Sequence, residues 1–190
     1  MPVSMRLGRI LATMVSPFAL LWATESQAIV HTTLTIQEKI QDAMSAAPVA
    51  IARAAAVVDW PKAGEKPPIL RKDANGWTCF PDYPPSPGDD PMCLDKTWTA
   101  WFDAYRNNTE PQVTSLGIAY MLKGGSAASN SDPFAVAPPD GSPWRLSPPH
   151  LMVITPDKLN PAIFDSEPSA GGPWIMWGGT PYEHLMVPAR

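Results

Sequence analysis

The sequence predicts an α+β fold in which short, mainly antiparallel strands form a sheet and two helices pack against it. The chain contains 24 prolines, spread from end to end. Because proline cannot donate a hydrogen bond to a β-ladder, the strands must be short and the loops long and stiff. Helix and strand patterns do not alternate as they do in parallel α/β proteins. An irregular barrel is the alternative architecture for the same pattern.

Two segments carry the signals of a helix. Thr35 followed by Glu38 forms a capping-box pattern, and apolar residues repeat behind it on one helical face until Pro48. Asp95 is a good N-cap for a second helix over residues 95–107. Aromatic residues recur along this second helix at helical spacing, and we expect them to face the sheet. They are Trp98, Trp101, Phe102 and Tyr105.

Short apolar runs bounded by Pro, Gly or Asn predict the strands. The segment 49–60 is ambiguous, because it is Ala-rich like a helix, whereas Val57-Val58 and the following Pro61 suit a strand end. We interpret it as a strand. The other predicted strands are 69–71, 76–80, 117–122, 151–154, 174–177 and 185–187.

The N-terminal segment has the pattern of a signal peptide. It begins with basic residues, continues with an apolar stretch over residues 10–23 and offers small residues for cleavage at 26–28. An uncleaved N-terminal anchor is the alternative. Removal of residues 1–28 leaves residues 29–190 as a single globular domain with no segment apolar for long enough to cross a bilayer. We therefore expect a periplasmic or secreted protein without membrane attachment.

The two cysteines predict one disulfide. Cys79 and Cys93 flank a Pro-rich loop, and in an oxidising compartment such a pair is most simply bonded. Closing a loop of this size stabilises a fold by about 3 kcal/mol in the chain-entropy model. The spacing fits neither a C-x-x-C redox motif nor the common zinc patterns.

The charges argue against a nucleic acid as partner and indicate little else. The formal net charge is −4 at pH 7, and the acidic residues are scattered along the chain. A nucleic-acid-binding domain needs a basic patch or stripe, and the sequence contains none.

A repeated phrase near the C-terminus predicts a His/Met site. The pattern Gly-x-Pro-Trp occurs at 141–144 and again at 171–174. The first copy is followed by His-Leu-Met-Val at 150–153 and the second by the same four residues at 184–187. In a strand the period of two places His and Met on one face. We expect both histidines on neighbouring strands with that face shared, close enough to act on one ligand. Imidazole and thioether together favour copper, in the cuprous state. The predicted metal ligands are His150, Met152, His184 and Met186.

The alternative for these four residues is ordinary packing. Methionine is a common filler of apolar cores, and a histidine at a strand entry commonly bonds to the backbone.

A second candidate site follows Gly124-Gly125. Glycines after a strand can point backbone N–H groups at an anion, so we expect ligand contacts from Ser126, Ser129, Asn130 and Asp132. A serine there, with His150 or His184 as base and Asp132 as orienting group, would make a serine-type hydrolase. However, the chain has no G-x-S-x-G motif, and such polar clusters are ordinarily turns.

Tryptophans beside Pro or Gly form the third candidate. Trp174 and Trp177 lie an odd number of residues apart, so they cannot share one face of a regular strand. An exposed Trp surface for sugars or Pro-rich peptides is one interpretation, and core packing is the other.

The chain resembles a group of exported bacterial proteins of unassigned function. The resemblance rests on the motifs Gly76-Trp77-Thr78-Cys79, Met92-Cys93-Leu94-Asp95, Tyr120-Met121-Leu122 with Gly124-Gly125, and Gly179-Thr180-Pro181-Tyr182 with His184-Leu185-Met186. It covers most of the chain after the signal peptide and implies an exported single domain, with no activity to carry over.

We interpret the chain as an exported module that binds a small molecule or a copper-type metal ion. The alternatives are a serine-type hydrolase and a structural or partner-binding secreted domain with an exposed Trp surface. The sequence assigns no catalytic residue.

Overall fold

The part of the chain that the structure describes contains three helices and ten short strands. The structure is a computed structural model, and it describes residues 34–62, 65–72, 74–83, 85–168 and 171–189. The predicted signal peptide over residues 1–28 lies outside them. The helices are α1 (Ile36–Ser45), α2 (Val49–Ala52) and α3 (Lys96–Arg106). The strands are β1 (Ala56–Val58), β2 (Ile69–Arg71), β3 (Thr78–Phe80), β4 (Met92–Leu94), β5 (Gly117–Met121), β6 (Gly125–Ala127), β7 (Arg145–Ser147), β8 (His150–Ile154), β9 (Trp174–Met176) and β10 (His184–Pro188).

Eight of these strands form one open sheet in the order β2-β1-β3-β4-β5-β8-β10-β9. All its pairings are antiparallel except β1 with β3. Strands β6 and β7 form a separate antiparallel pair. The α+β prediction with a mainly antiparallel sheet is therefore confirmed. The barrel alternative is wrong, because β2 and β9 end the sheet without pairing to each other.

Helices α1 and α2 cover one face of the sheet. The predicted capping box is present at α1: the Thr35 hydroxyl accepts from the Glu38 amide at 3.3 Å, and the Glu38 carboxylate accepts from the Thr35 amide at 2.7 Å. Small side chains allow these helices to approach the strands closely. The core on this face consists of Ala43, Ala46, Ala47, Ala52, Ala55, Val57, Cys79 and Cys93.

The strand prediction for residues 49–60 is correct only in its second half. Val49–Ala52 forms a helical turn, so the described residues contain three helices rather than the two predicted. The carbonyl of Pro48 accepts from the amides of Ile51 and Ala52, at 2.9 and 3.0 Å. Proline suits the start of a helix because its φ is already near the helical value. The β-branched pair Val57-Val58 lies in β1 as predicted.

The predicted disulfide is present and lies between two central strands. Cys79 and Cys93 stand directly opposite each other in β3 and β4, with Cα atoms 4.0 Å apart. Both side chains are fully buried. The bond therefore fixes the ends of the Pro-rich loop that connects the two strands.

Helix α3 packs its aromatic stripe on the opposite face of the sheet, as predicted. Trp98, Trp101 and Phe102 are buried, and Tyr105 is half-buried beside them. The Asp95 carboxylate accepts from the Trp98 amide at 2.8 Å and from the Ile118 amide at 2.6 Å. The N-cap thus joins the start of α3 to β5.

Residues Leu34–Arg190 form one compact unit. Within the described residues, no helix has the length and apolar character that crossing a membrane requires.

Replacement of Trp101 by Ala tests the packing of α3. Trp101 is 4 % exposed and its ring contacts those of Trp98, Trp177 and His184. We expect Trp101→Ala to lower the free energy of unfolding by about 3–5 kcal/mol in a urea titration. Leu116→Ala, at a side chain that is 57 % exposed, is the control. A loss of less than about 0.5 kcal/mol at Trp101 would contradict the core assignment.

Candidate functional site

Methionine and histidine side chains cluster on the sheet face that α3 covers. This face carries alternate residues of β5, β8, β9 and β10, and all of them except Pro188 are buried. Three directly opposed cross-strand pairs define it: Met121 with His150, Met152 with Met186, and Met176 with His184. Directly opposed residues in antiparallel strands have side chains close enough to touch.

The two histidines lie on neighbouring strands and on the same face, as predicted. Antiparallel pairing nevertheless places them at opposite ends of the Met152–Met186 pair, because His150 lies opposite Pro188. The two positions differ by four residues along the strand direction, about 13 Å at the usual rise. A metal ion on His150 would therefore take its thioethers from Met121 and Met152, and an ion on His184 from Met176 and Met186.

A cavity of about 630 Å³ lies over this face. The sheet forms its floor, and α3 and the segment 125–136 form its walls. We call it the sheet cavity. Its lining is mainly aromatic and thioether side chains, among them Trp60, Trp98, Trp101, Tyr105, Met152 and Met186. All four predicted metal ligands line it.

His150 presents a buried nitrogen without a hydrogen-bond partner. Its Nδ1 lies 2.7 Å from the carbonyl oxygen of Pro148, which can only accept, so Nδ1 carries the proton. The neutral ring then has its lone pair on Nε2, and Nε2 is buried and unpaired. Burial lowers the pKa of His150, while the bond to Pro148 and the charge of Asp90 act in the opposite direction.

Asp90 presents a second buried atom without a partner. Its side chain is 5 % exposed, and Oδ2 accepts from the Ser126 hydroxyl at 2.7 Å, whereas Oδ1 is unpaired. The Asp90 amide donates to the Asp82 carboxylate at 2.8 Å, which holds the loop in place. Gly88 closes over the carboxylate: a Cβ at Gly88 would lie 2.5 Å from Oδ1. Only glycine fits there without moving Asp90.

His184 lies in an aromatic box at the other end of the cavity. Its ring centre is 5.3 Å from that of Trp98, 5.7 Å from Trp101 and 5.1 Å from Trp177. Its Nδ1 donates to the Tyr182 carbonyl oxygen at 3.0 Å. Burial lowers the pKa of His184 to about 4, so the imidazole is neutral at pH 7.

The structure divides the predicted ligand-binding residues into two groups. Ser126, Ser129, Asp132 and Trp177 line the sheet cavity, whereas Asn130 and Trp174 do not. The Asn130 side chain instead accepts from the Trp174 indole at 3.2 Å and donates to the Ser166 carbonyl. Asn130 and Trp174 therefore hold the segment 125–136 against β9.

Trp174 and Trp177 do not form an exposed surface. Trp174 is 2 % exposed on the cavity side of β9, and Trp177 is half-buried against the same core. Trp177 follows the end of β9 with a φ of 56°, so the strand alternation no longer applies to it. Its indole donates to the Ser129 carbonyl oxygen at 3.1 Å.

The serine and histidine side chains do not form a catalytic relay. The Ser126 hydroxyl donates to Asp90, and the Asp132 carboxylate accepts from the Phe134 amide at 2.9 Å. The Ser129 hydroxyl accepts from the amides of Ser131 and Asp132. The contacts of Ser129 and Asp132 are those of a turn, which is the ordinary role of such a polar cluster.

Asp90, Met121 and Met176 also line the sheet cavity and were not predicted from the sequence. The alternation of the predicted strands 117–122 and 174–177 could have placed the two methionines on the cavity face. Asp90 had no local signal, because it reaches the site from the Pro-rich loop between the cysteines.

No protein-family model matches the chain, and neither a curated protein nor a solved structure is significantly similar to it. The resemblance to exported bacterial proteins stays a prediction. In the described part of the chain, no group of three or more His, Cys, Asp or Glu side chains is placed to hold a metal ion. A metal site among these residues would therefore depend on methionine sulfur.

The buried His184 predicts a loss of stability in acid. Its pKa is about 4 in the folded protein and about 6.5 when unfolded, so the unfolded chain binds the extra proton between these values. We expect the free energy of unfolding to fall as the pH drops from 6.5 to 4, by about 3 kcal/mol in total from this group. Urea titrations across this pH range measure the slope.

His184→Phe is the matched variant, because it keeps a buried ring that cannot titrate. Its free energy of unfolding should depend less on pH between 6.5 and 4 than that of the wild type. The comparison is needed because burial also raises the pKa of Asp42 and Asp82. A raised carboxyl pKa increases the free energy of unfolding as the pH falls towards 4, which opposes the effect of His184. Identical slopes in the two proteins would contradict the assignment.

Proposed function

We propose that this protein is an exported module that binds a small organic molecule in the sheet cavity. The observation that carries the proposal is the pairing of a large apolar cavity with two buried, unpartnered polar atoms, His150 Nε2 and Asp90 Oδ1. A volume of about 630 Å³ lies within the range of small-molecule sites. Such sites combine an apolar lining with a few polar groups that fix the orientation of the ligand.

The two unpartnered atoms support binding over simple packing. Most buried polar atoms in native proteins have a hydrogen-bond partner, and leaving one unpaired costs about 1–3 kcal/mol. Both His150 and Asp90 line the cavity, and ordinary packing gives no reason to keep an unpaired polar atom in each. A ligand that bonds to them would offset this cost.

The buried disulfide supports the proposed compartment. Cys79 and Cys93 pair in the core, and structural disulfides of this kind persist in oxidising environments such as the periplasm or the medium. A ligand-binding module there would meet small molecules before they enter the cell.

Copper(I) is a second candidate occupant, favoured by one observation. The unpaired lone pair of His150 Nε2 lies on the face that carries Met121 opposite it and Met152 two residues further along β8. One imidazole and two thioethers are a soft ligand set, which suits the cuprous ion. This set replaces His184 and Met186 of the sequence prediction by Met121.

Filling the cavity tests the main proposal. Ala127 lines the sheet cavity, so Ala127→Trp should block it. We expect the neutral fluorescent probe N-phenyl-1-naphthylamine to bind the wild type and to bind Ala127→Trp at least about tenfold more weakly, since tenfold corresponds to 1.4 kcal/mol. Fluorescence titration measures both affinities.

Ala162→Trp is the matched control, because Ala162 is exposed and does not line the cavity. It should bind the probe like the wild type. Circular dichroism and thermal unfolding establish that both variants fold. If the wild type fails to bind the probe, or if Ala127→Trp binds it equally well, the proposal is wrong.

Competition with bathocuproine disulfonate tests the copper candidate. With copper(I) maintained by ascorbate, His150→Phe and Met121→Leu should each lower the affinity at least about tenfold, because each removes one of a small number of ligands. His184→Phe should leave it unchanged, since His184 lies at the other end of the cavity. A wild type that takes up no copper(I) would exclude this candidate.

A further inference from the structure

The two unpartnered atoms in the sheet cavity are both acceptors. His150 donates its ring N–H to the Pro148 carbonyl oxygen, so Nε2 offers a lone pair, and a carboxylate oxygen such as Asp90 Oδ1 accepts hydrogen bonds. One short segment, residues 125–126, lies close to both His150 and Asp90. A Cβ at Gly125 would lie 3.4 Å from His150 Cε1, and the next residue, Ser126, donates to Asp90. A ligand that forms hydrogen bonds with both atoms must therefore supply hydrogen-bond donors.

The charges around this end of the cavity favour a cation. Asp90 and Asp132 line the cavity as carboxylates, and both histidines are neutral at pH 7 because burial lowers their pKa values. Arg106 is the one arginine or lysine in the described lining, and its guanidinium lies over the Phe102 ring, 5.9 Å from the centroid. Asp90 lies with His150 and Ser126, which carry no positive charge to balance it.

The rings of Trp60 and Tyr83 line the sheet cavity, and Trp60 contacts the start of the loop that carries Asp90. The Trp60 indole donates to the carbonyl oxygens of Pro81 and Asp82, both at 2.9 Å, and the Asp82 carboxylate holds the Asp90 amide. The Trp60 ring centre is 4.7 Å from that of Tyr83. Faces of Trp and Tyr attract ammonium groups and also pack against apolar groups.

We infer that the ligand of the sheet cavity is an amine: a primary ammonium group binds Asp90 Oδ1 and His150 Nε2, and an apolar or aromatic body fills the space below α3. This inference rests on the proposed function, because it names the chemical class of the molecule that the cavity binds. The ammonium supplies three donors, two for the unpaired acceptors and one for a neighbouring oxygen. The carboxylate makes one of these a charge-assisted hydrogen bond.

A matched pair of probes tests the inference at pH 7.5. Phenethylamine and 2-phenylethanol have the same size and differ in the ammonium and hydroxyl groups. Their affinities are measured by displacement of N-phenyl-1-naphthylamine. We expect the amine to bind at least about tenfold more tightly than the alcohol, as is typical of a hydrogen bond to a charged group. In Asp90→Asn this preference should fall to about twofold or less, because the amide keeps an acceptor but loses the charge.

Asp89→Asn is the control for net charge. Asp89 is the neighbouring carboxylate, does not line the cavity and pairs with Lys123 at 3.0 Å. This variant should keep the wild-type preference for the amine. An equal loss of preference in Asp89→Asn would overturn the inference, because the effect would then be long-range.

The outcomes separate the inference from the proposed function. If N-phenyl-1-naphthylamine binds and the wild type does not prefer the amine, the inference is wrong and the proposed function stands. If none of the three compounds binds, the proposed function fails and the inference fails with it. Should Asp90→Asn not fold, the preference of the wild type and its loss in His150→Phe decide the question.

Discussion

The antiparallel register of β5, β8 and β10 is the constraint on which the rest of the structure depends. It places Met121 opposite His150 and Met152 opposite Met186, and so decides which side chains face α3. Helix α3 supports the same register, because the indole of Trp98 donates to the Met152 carbonyl oxygen at 3.1 Å. A slip of one residue would turn the methionines and histidines to the other face. The cavity exists only in the observed register.

The two histidines at the ends of the cavity are both buried but have different surroundings. His184 is enclosed by three indoles and makes its hydrogen bond to Tyr182, so its environment is that of an aromatic core. His150 has similar burial but keeps Nε2 unpaired, and an oxygen of Asp90, which lines the same cavity, is unpaired too. The repeated sequence phrase thus lies in two different environments, one in which the imidazole is packed among aromatic rings and one in which a polar atom has no partner.

The local elements could be predicted because their causes are local. The Thr35–Glu38 capping box, the Asp95 N-cap and the aromatic stripe of α3 each depend on residues within one or two turns. The Cys79–Cys93 bond followed from the only two cysteines in the chain. Strands such as β4 and β7 were missed because three residues are too few to show an alternating pattern. The turn of helix at Val49–Ala52 is shorter than a helical repeat pattern can reveal.

The sequence by itself determined that His150 shares a strand face with Met152, and His184 with Met186, because alternation along a strand is a property of the backbone. It also determined that two cysteines would close the Pro-rich loop. Only the tertiary structure decided the order and direction of the strands, which set the histidines at opposite ends of the cavity. It alone brought Asp90 to His150, through a loop that the disulfide and the Asp82 hydrogen bond hold in place. Such contacts join residues far apart in sequence, and the packing of the whole chain fixes them.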